Sequence, residues 1–590
     1  MKYCNICEGR FLQRPNRFIA YVELDGQETR VHVKNTGRCR ELLTERAKVY
    51  LEKSDNPDRS TAYDLVAVEK GDLLINMDSQ APNQAVYEWL LAGGLFSAPT
   101  LVRPETVYGG SRFDFYVEAG EEKAFVEVKG VTLEKDGVVS FPDAPSERAV
   151  KHVEELVEAG RAGYQVYVLF VVQMKGVKYF LPNERMHPEF ARALREAAEQ
   201  GVRILCYDCL VRPDEMRLDA PVTVYLSEDE ARLAGIVEPL LSWFAENKRD
   251  LPWRENRDPY RIWVSEIMLQ QTRVEAVKPY FKRFMDRLPD LHALAHAPEE
   301  TLLKLWEGLG YYNRVRNLQK AALQVEADYG GQMPASYEEL LKLTGIGSYT
   351  AGAIASIAFG LPYPAVDGNV LRVLSRLRMD SRLINDGKVK AQVEEELRAV
   401  MPVHAPGEFN QALMEIGATV CVPNGAPLCE ICPLARQCLA HQNGVESDYP
   451  KKEVKKPRVI EEMTVLVIRD ENKVAVHKRP KEGLLAGLYE FPSIPGHRTP
   501  EEVISFLEEN GIKTLRIRPM EAAKHIFTHK EWHMIGYAVQ VDELAPGDRT
   551  GSTGDWIYID PAQTRDNFPI PSAFRTYTKY LKMKLGKELI

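Results

Sequence analysis

The 590-residue sequence has no uninterrupted apolar run of the ~18 residues that a membrane-spanning helix needs. Its first residues, MKYCNICEGRF, lack the apolar core of a secretory signal, so we expect a cytoplasmic protein with no membrane partner. Cysteine is scarce, with nine residues in the whole chain, which excludes a disulfide-stapled scaffold. Basic charge is not in excess either, because the net charge is -9. Any contact with DNA must therefore use local basic patches or backbone amides.

The chain is too long for one hydrophobic core, and its composition of 45% apolar and 27% charged residues is typical of a globular protein. Alternating apolar and polar residues near the amino terminus predict a small β-barrel, and helical periodicity after residue 236 predicts an all-α domain. The predicted boundaries are a barrel at 1–80, an α/β domain at 81–225, a polar linker at 226–235, the all-α domain at 236–445, a basic linker at 446–460 and an α+β domain at 461–590.

Two strand-like runs in the second domain carry charged residues that project together. Strand period places Glu127 and Lys129 on one face, beside Asp114 of the preceding strand. Nucleases of the PD-(D/E)xK class use this arrangement, in which the acids hold Mg²⁺ and the lysine supports the attacking water. The alternative is an ordinary surface strand with alternating charges. A Cys4 zinc site made by the pairs Cys4-x2-Cys7 and Cys206-x2-Cys209 is a further alternative, although reduced structural thiols are favoured.

A helical pattern after Pro259 carries the first candidate catalytic acid, Glu266. Its apolar stripe comprises Ile262, Trp263, Ile267, Leu269, Val274 and Val277. Glu266 falls on that stripe, and no Lys or Arg stands three or four positions away to pair with it. Burial among apolar groups raises a carboxylic pKa, so Glu266 is a candidate general acid.

The second carboxylate, Asp367, lies in VDGNV at the start of a helix, where it can serve as an N-cap. The helix N-terminus is expected to lower its pKa and keep it ionised. A neutral Glu266 and a charged Asp367 are the pair that cleavage of a glycosidic bond requires. Between them in sequence, Gly345 and Gly347 of LTGIGSY predict a hairpin whose backbone amides bind a phosphate at a helix N-terminus; the simpler interpretation is a turn.

Four cysteines within eighteen positions predict a metal site: Cys421, Cys429, Cys432 and Cys438. A 4Fe-4S cluster is favoured over zinc by the motifs around it rather than by the spacing.

Residues 1 to about 225 resemble the sugar fermentation stimulation protein A family, through RPNRF, NTGR, SRFDF, EVKGVTL, FPDAPSERAVKH and CYDCLVRPDE. The resemblance implies an OB-like barrel and a nuclease-like domain that binds DNA, with Glu88 as a further member of the Asp114 site.

Residues 236 to 590 resemble the adenine-specific DNA glycosylases of the helix-hairpin-helix superfamily, through PYRIWVSEIMLQQTRV, LWEGLGYYNRVRNLQKAA, LTGIGSYTAGAI, VDGNVLRVLSR, FNQALMEIGATVC and the cysteines. The first cysteine gap holds seven residues where six is usual. That family removes adenine mispaired with 8-oxoguanine after flipping it out of the duplex. RPKEGLLAGLYEFP and HIFTHKEW resemble the family's Nudix-like domain, which here lacks the acid-rich catalytic helix.

The resemblance implies a role for each matching residue. Glu266 would protonate adenine N7, Asp367 would stabilise the cation with Asn369 in support, and Tyr349 would lie close to the sugar. Arg254, Leu269 and Gln411 would line the adenine pocket, Gln271 and Tyr312 would insert into the base stack, and Phe527, Thr528 and His529 would sense 8-oxoguanine.

Tyr349 stands where related glycosylase-lyases carry a lysine, which implies a monofunctional enzyme. We expect it to act on double-stranded DNA as a monomer. Two alternatives remain: a pyrimidine-lesion glycosylase-lyase and a cluster-bearing, DNA-binding regulator.

Overall fold

The structure is a computed structural model that describes residues 1–35, 37–56, 58–453, 457–470, 472–480, 483–527, 529–542, 556–562, 568 and 570–582. The chain forms two compact units, Met1–Leu233 and Ala234–Ile590. In the described residues, no helix has both the length and the apolar character needed to cross a bilayer. The predicted order of a barrel, an α/β domain, an all-α domain and an α+β domain is confirmed.

The barrel is built from six strands in the order β3-β2-β1-β4-β5-β6, and a parallel pairing of β3 with β5 closes it. Alternate residues of β2, Ala20 and Val22, are buried inside the barrel, as the period of a strand requires. The strands are β1 Ile6–Gln13, β2 Ile19–Leu24, β3 Gln27–Val33, β4 Lys48–Lys53, β5 Tyr63–Lys70 and β6 Leu73–Asn76.

The α/β domain is organised around β12, whose sequence QVYVLFVV is apolar on both faces because helices cover both sides of the sheet. Val168 and Phe170 pack in the core shared with α2 and α3, while Leu169 and Val171 pack in the core shared with α1. The elements are α1 Ala81–Leu91, β7 Leu101–Tyr108, β8 Ser111–Ala119, β9 Glu122–Val131, β10 Leu133–Lys135, β11 Val138–Phe141, α2 Glu147–Arg161, β12 Gln165–Val172, β13 Tyr179–Pro182, α3 Pro188–Glu199, β14 Arg203–Arg212, β15 Glu215–Pro221 and β16 Thr223–Val224. They form a six-stranded sheet, β15-β14-β12-β9-β8-β7, and a four-stranded one, β10-β11-β13-β16.

The all-α domain has α6 at its centre, because every residue from Ile262 to Met268 is buried. Its helices are α4 Glu228–Ala234, α5 Val237–Asn247, α6 Pro259–Leu269, α7 Val274–Arg287, α8 Leu291–Ala295, α9 Glu299–Leu305, α10 Asn313–Tyr329, α11 Tyr337–Leu340, α12 Ser348–Ile357, α13 Gly368–Arg378, α14 Gly387–Val400, α15 Pro406–Thr419 and α16 Leu439–Gln442.

The single apolar stripe predicted from Ile262 to Val277 is divided between two helices. α6 ends at Leu269, and Gln271 adopts a left-handed conformation with φ 57° before α7 begins. The guanidinium of Arg314 binds the carbonyls of Ile267, Met268 and Gln270 at the end of α6. These carbonyls therefore have partners without a continuing helix, which explains the break.

The carboxy-terminal α+β domain is a mixed sheet with helices on both faces. Its described elements are β17 Val459–Arg469, β18 Val474–Lys478, β19 Tyr489–Glu490, β20 Ser493–Pro495, α17 Pro500–Glu509, β21 Thr514–Ile526, β22 Lys530–Val541, β23 Trp556–Ile559 and α18 Arg575–Thr578. This domain packs on the helical domain, since Leu488 joins the helical core and Arg316 donates to the carbonyl of Ala486 at 2.8 Å.

Candidate functional site

A cavity of about 590 Å³ in the helical domain brings together the residues predicted for catalysis and for the adenine pocket. It lies where α6, α12, α13 and α15 meet. The predicted residues that line it are Glu266, Asp367, Tyr349, Asn369, Arg254, Leu269 and Gln411. Two carboxylates separated by about a hundred residues in sequence thus open onto one space.

Glu266 is buried within α6, with 5% of its surface exposed. The hydroxyl of Tyr349 donates to its Oε2 at 2.5 Å. Burial raises the pKa of Glu266 to about 7, and the nearby charge of Asp367 adds to the rise, while Tyr349 and Arg254 oppose it. A carboxyl in these surroundings carries a proton near neutral pH.

Asp367 is the N-cap of α13 and accepts hydrogen bonds from the backbone N–H of Asn369 and of Val370, each at 2.9 Å. The side-chain amide of Asn369 donates to its other oxygen at 2.7 Å. The expectation that the helix N-terminus lowers the pKa of Asp367 is wrong in direction: burial raises it, and the N–H donors only offset part of the effect. Hydrogen bonds donated to a carboxylate favour its charged form. Asp367 accepts three and Glu266 accepts one, so Glu266 is the carboxyl of the pair that holds a proton more readily.

The approach of α13 to α15 depends on Gly417. A Cβ at this position would lie 2.6 Å from the Cβ of Asn369, closer than the two helices allow. Glycine therefore allows α15 to press against the start of α13, where Asp367 and Asn369 line the cavity.

Glu415 on α15 is a site residue that the sequence reasoning missed. Its side chain is 1% exposed and accepts hydrogen bonds from Arg249 at 2.7 Å and Arg254 at 2.9 Å. Burial opposes ionisation, but the two guanidinium groups outweigh it and lower the pKa of Glu415. A buried carboxylate thus fixes Arg254 at the cavity wall. The signal was present, because Glu415 stands in the apolar helix ALMEIGA with no base one turn away.

The predicted hairpin places Gly345 and Gly347 on the surface before α12. Gly345 has φ +80°, and a Cβ there would lie 2.9 Å from Asn317 Cβ, so glycine is required. Gly347 is the N-cap of α12, whose first amides have no side-chain cap and remain available to an anion.

Two exposed residues with left-handed backbones stand on neighbouring loops: Gln271 with φ 57° and Tyr311 with φ 49°. Tyr311 is 51% exposed, whereas Tyr312, the residue expected to insert into a base stack, is 5% exposed and packs in the core. Tyr312 immediately precedes α10, which turns its ring inward. Tyr311 is therefore the exposed aromatic of this pair.

Arg314 ties the two loops together. Besides the carbonyls at the end of α6, its guanidinium binds the carbonyls of Leu309 and Gly310, each at 3.1 Å.

A second cavity, of about 480 Å³, lies between the helical domain and the carboxy-terminal domain. Tyr311, Tyr312 and Gly345 line one side, and Phe527 and His529 line the other. Thr528 lies outside the described residues. The loop that follows β21 therefore faces the hairpin of the helical domain across a space large enough for a nucleobase.

The four predicted metal-binding cysteines line one small cavity, of about 30 Å³, beyond the end of α15. None of them forms a disulfide. Arg376 donates to the sulfur of Cys421 at 3.2 Å, and the sulfur of Cys438 lies 3.4 Å from the carbonyl of Arg376. Four thiols that converge in this way fit a metal centre, and the seven-residue first gap does not prevent it.

In the other unit, β8 and β9 bring Asp114, Glu127 and Lys129 together. Lys129 donates to Glu127 Oε1 at 2.6 Å, and His152 of α2, which the sequence reasoning did not assign, bonds to the same oxygen. Glu127 Oε2 is buried and has no hydrogen-bond partner. Burial opposes ionisation of Glu127, but the His152 hydrogen bond and the Lys129 charge outweigh it and lower its pKa. Burial and the charge of Glu127 raise the pKa of Asp114, so the two acids lie close together.

Two predictions for this unit have no support in the structure: the place of Glu88 at the acid site and the zinc site of the two cysteine pairs. Glu88 pairs with the amino group of Met1 at 2.5 Å rather than joining the acids. Cys206 and Cys209 pack in cores on opposite faces of the sheet, so they do not bind one zinc ion together. At the predicted Mg²⁺ site, the residues that the structure describes provide two carboxylates, Asp114 and Glu127. Within the described part of the chain, the groups of three or more ligand atoms are His292, His296 and Glu326, and Cys429, His441 and Glu446.

Comparison with known proteins assigns each part of the chain to a family. The matching families are "SfsA N-terminal OB domain" at residues 12–77, "Sugar fermentation stimulation protein RE domain" at 80–215, "HhH-GPD superfamily base excision DNA repair protein" at 264–399 and "NUDIX domain" at 464–580.

Two relatives illustrate the two halves. A sugar fermentation stimulation protein homolog of Clostridium beijerinckii is 55% identical over 226 residues, which is 38% of this chain and 100% of that protein. An adenine DNA glycosylase of Buchnera aphidicola subsp. Acyrthosiphon pisum is 36% identical over 296 residues, which is 50% of this chain and 83% of that protein. A solved structure of Pyrococcus furiosus SfsA in complex with Ca²⁺ is 26% identical and covers 38% of this chain and 98% of its own, with a TM-score of 0.35.

This chain covers more than two thirds of the length of the Clostridium beijerinckii relative and of the Buchnera aphidicola relative. The chain therefore belongs to two families at once, the sugar fermentation stimulation proteins through its first unit and the adenine DNA glycosylases through its second, and the second unit is a DNA-repair glycosylase.

Proposed function

We propose that the unit Ala234–Ile590 hydrolyses the N-glycosidic bond of adenine mispaired with 8-oxoguanine or guanine in double-stranded DNA. The observation that carries the proposal is the pair of buried carboxylates, Glu266 and Asp367, on one cavity. Burial raises the pKa of Glu266 to about 7, so a large fraction of it is protonated near neutral pH, and Asp367 has the donors that favour its charged form. This is the contrast that cleavage to an oxocarbenium-like transition state needs.

The chemistry follows from these protonation states. Adenine enters the cavity after flipping out of the duplex, and Glu266 donates its proton to N7, which makes the base a neutral leaving group. As the bond to C1′ lengthens, the carboxylate of Asp367 stabilises the positive charge on the sugar, and Asn369 keeps that carboxylate in place. A water molecule adds to C1′, which leaves an abasic site. Tyr349 orients Glu266 and offers no amine for a Schiff base.

The cavity wall would hold the base through Arg254, Leu269 and Gln411. Glu415 supports this role because it binds Arg254 from behind.

Recognition of the DNA uses neighbouring surfaces. The exposed amides at Gly345 and Gly347 would bind a backbone phosphate without much positive charge. Gln271 and Tyr311 would fill the gap left by the flipped adenine, with Tyr311 in the role first expected of Tyr312. The second cavity, with Phe527 and His529, would read the opposite 8-oxoguanine. The enzyme would act as a monomer at the nucleoid.

A 4Fe-4S cluster would be held by Cys421, Cys429, Cys432 and Cys438. When bound, the cluster crosslinks the segment that follows α15. Arg376, which contacts Cys421 and two carbonyls of the next loop, anchors the same segment to α13.

The test is a duplex with one adenine opposite 8-oxoguanine, with free adenine measured by chromatography. Wild-type protein and Glu275→Gln, a control on the exposed face of α7, should release adenine; Glu266→Gln should not. Strand cleavage, together with a covalent enzyme–DNA adduct that borohydride traps, would instead indicate a glycosylase-lyase. Binding without any release would indicate a regulator.

A second function is proposed for the unit Met1–Leu233, namely cleavage of DNA with a divalent cation such as Mg²⁺. Asp114 and Glu127 would hold the cation, because the buried Oε2 of Glu127 has no other partner. Incubation of the full chain with supercoiled plasmid and Mg²⁺ tests it, and Glu127→Gln should abolish nicking.

A further inference from the structure

We infer that the site of Asp114, Glu127 and Lys129 cuts the DNA backbone at the abasic sites that the glycosylase unit of the same chain produces. The inference rests on both proposed functions and names a substrate for the second. Three observations carry it: an incomplete buried acid site, a basic rim beside it, and a glycosylase site that leaves the strand uncut.

The acid site lacks one partner. Asp114 is satisfied by Asn83 at 2.8 Å and by the backbone N–H of Val128 at 2.8 Å. Glu127 Oε1 is bound by Lys129 and His152, but Oε2 is buried without a donor. A buried carboxylate oxygen without a partner costs free energy, and a divalent cation between the two acids removes that cost. The built site therefore points to a divalent cation bound by Glu127 Oε2.

The first turns of α2 supply positive charge next to these acids. Arg148 donates to Nε2 of His152 at 3.3 Å, and the exposed Lys151 donates to the carbonyl of Gly110 at 3.3 Å. Together with Lys129, which pairs with Glu127, these groups form a basic rim of three cations, in which Lys151 also pairs with Glu155 at 3.6 Å. A phosphodiester is the ligand that matches a cation site beside a basic rim.

Because Glu127 and Lys129 are largely buried, DNA with an easily bent backbone is the substrate that best reaches them. The side chain of Glu127 is 2% exposed and that of Lys129 is 14% exposed, so a phosphate must approach closely to reach them. An intact duplex resists this bending because its bases are stacked and paired. An abasic nucleotide has neither restraint, so its phosphate can move toward the site at lower cost.

The glycosylase site supplies such nucleotides without cutting the strand, because Tyr349 stands beside Glu266 and offers no amine. The product is an abasic site with both phosphodiesters intact. The proposed hydrolase and the glycosylase that makes this product belong to the same chain.

The hydrolytic step consumes one water. Its oxygen forms a bond to phosphorus, and the bond from phosphorus to one sugar oxygen breaks. The water gives up a proton to solvent, and the departing sugar oxygen leaves as a hydroxyl after it gains a proton from solvent. A bound divalent cation would neutralise charge on the phosphate.

The test uses the full-length protein, Mg²⁺ and a duplex that contains one tetrahydrofuran, an abasic analogue that bypasses the glycosylase and cannot undergo β-elimination. We expect wild type and Glu266→Gln to nick the analogue strand. Glu127→Gln should nick it roughly 100-fold more slowly, because the cation loses a ligand. Glu121→Gln, at the exposed tip of the β8–β9 hairpin, is the matched control and should nick at the wild-type rate.

A readout independent of nicking is the calorimetric titration of Ca²⁺ into wild type and Glu127→Gln, where we expect one site that the variant loses. Lys129→Met serves as a second variant, because it removes the ammonium without removing a cation ligand. Adenine release by Glu127→Gln and by Lys129→Met shows that these two variants are folded.

The outcomes separate the two proposals. If wild type releases adenine but leaves the analogue intact, the inference is overturned while the glycosylase function stands. If the analogue is nicked but no adenine is released, the glycosylase proposal fails. Equal nicking of the analogue and of an intact duplex would refute the substrate, and unchanged nicking by Glu127→Gln would refute the site.

Discussion

Adenine release should decline as the pH rises through 7, because the reaction uses the protonated form of Glu266. Burial raises the pKa of this carboxyl to about 7. For one group with that pKa, roughly nine-tenths is protonated at pH 6 and roughly one-tenth at pH 8, so the single-turnover rate should fall about tenfold between them. At the acidic end, the rate should fall as Asp367 takes up a proton, at a pH above that of an exposed aspartate, since burial raises the pKa of Asp367 too.

The assay is single-turnover release of adenine from a duplex with adenine opposite 8-oxoguanine, at constant ionic strength from pH 5 to 9. Glu266→Gln keeps the size of the side chain and an acceptor for the Tyr349 hydroxyl, but it has no acidic proton. Its rate should be lower by about 10²- to 10⁴-fold and should not show the decline near pH 7. A wild-type rate that stays constant from pH 6 to 8, or a glutamine variant with the wild-type profile, would refute the assignment of Glu266.

Three further predictions test other parts of the structure. Asp367→Asn should keep the acceptor for the backbone N–H groups of Asn369 and Val370 but lose the acceptor for the Asn369 side-chain amide, so the free energy of unfolding should fall by about 1–3 kcal/mol in a denaturant titration. Adenine release should fall by about 100-fold or more; release at the wild-type rate by the folded variant would contradict a catalytic role. Tyr311→Ala should weaken binding to the mispaired duplex in fluorescence anisotropy and leave Tm unchanged, whereas Tyr312→Ala should lower the stability of the buried core by about 3 kcal/mol, and the reverse pattern would contradict the assignment. Cys432→Ser should reduce the iron bound per chain and lower Tm, because it removes one ligand of the proposed cluster; an unchanged iron content would argue against that ligand set.

The position of Glu266 could be predicted from sequence because helical period alone determines its neighbours. Ile262, Trp263 and Leu269 stand one turn away within the same element, and the structure buries the carboxyl among them. The start of α13 at Asp367 could be predicted in the same way, since the N-cap signal is local.

The pKa direction of Asp367 could not be predicted, because burial depends on elements distant in sequence. α15 covers the start of α13 where Gly417 meets Asn369, and nothing in VDGNV reveals that contact. Local donors alone suggested a lowered pKa, and the desolvation that outweighs them comes from tertiary packing.

His152 and the choice between two adjacent tyrosines show the same limit. His152 joins Glu127 only because α2 packs on the sheet, 25 residues later in the chain. Tyr311 and Tyr312 are identical in sequence terms, and which ring points outward is decided by the residue at which α10 begins. Local pattern predicted the elements, while the orientation of these side chains required their packing.

The guanidinium of Arg314 links the loops that carry Gln271 and Tyr311, because it donates hydrogen bonds to carbonyls of both. If either loop moves away, the partly buried guanidinium of Arg314 loses the carbonyl acceptors that this loop provides. In the proposed binding mode, Gln271 and Tyr311 would therefore enter the duplex together and withdraw from it together.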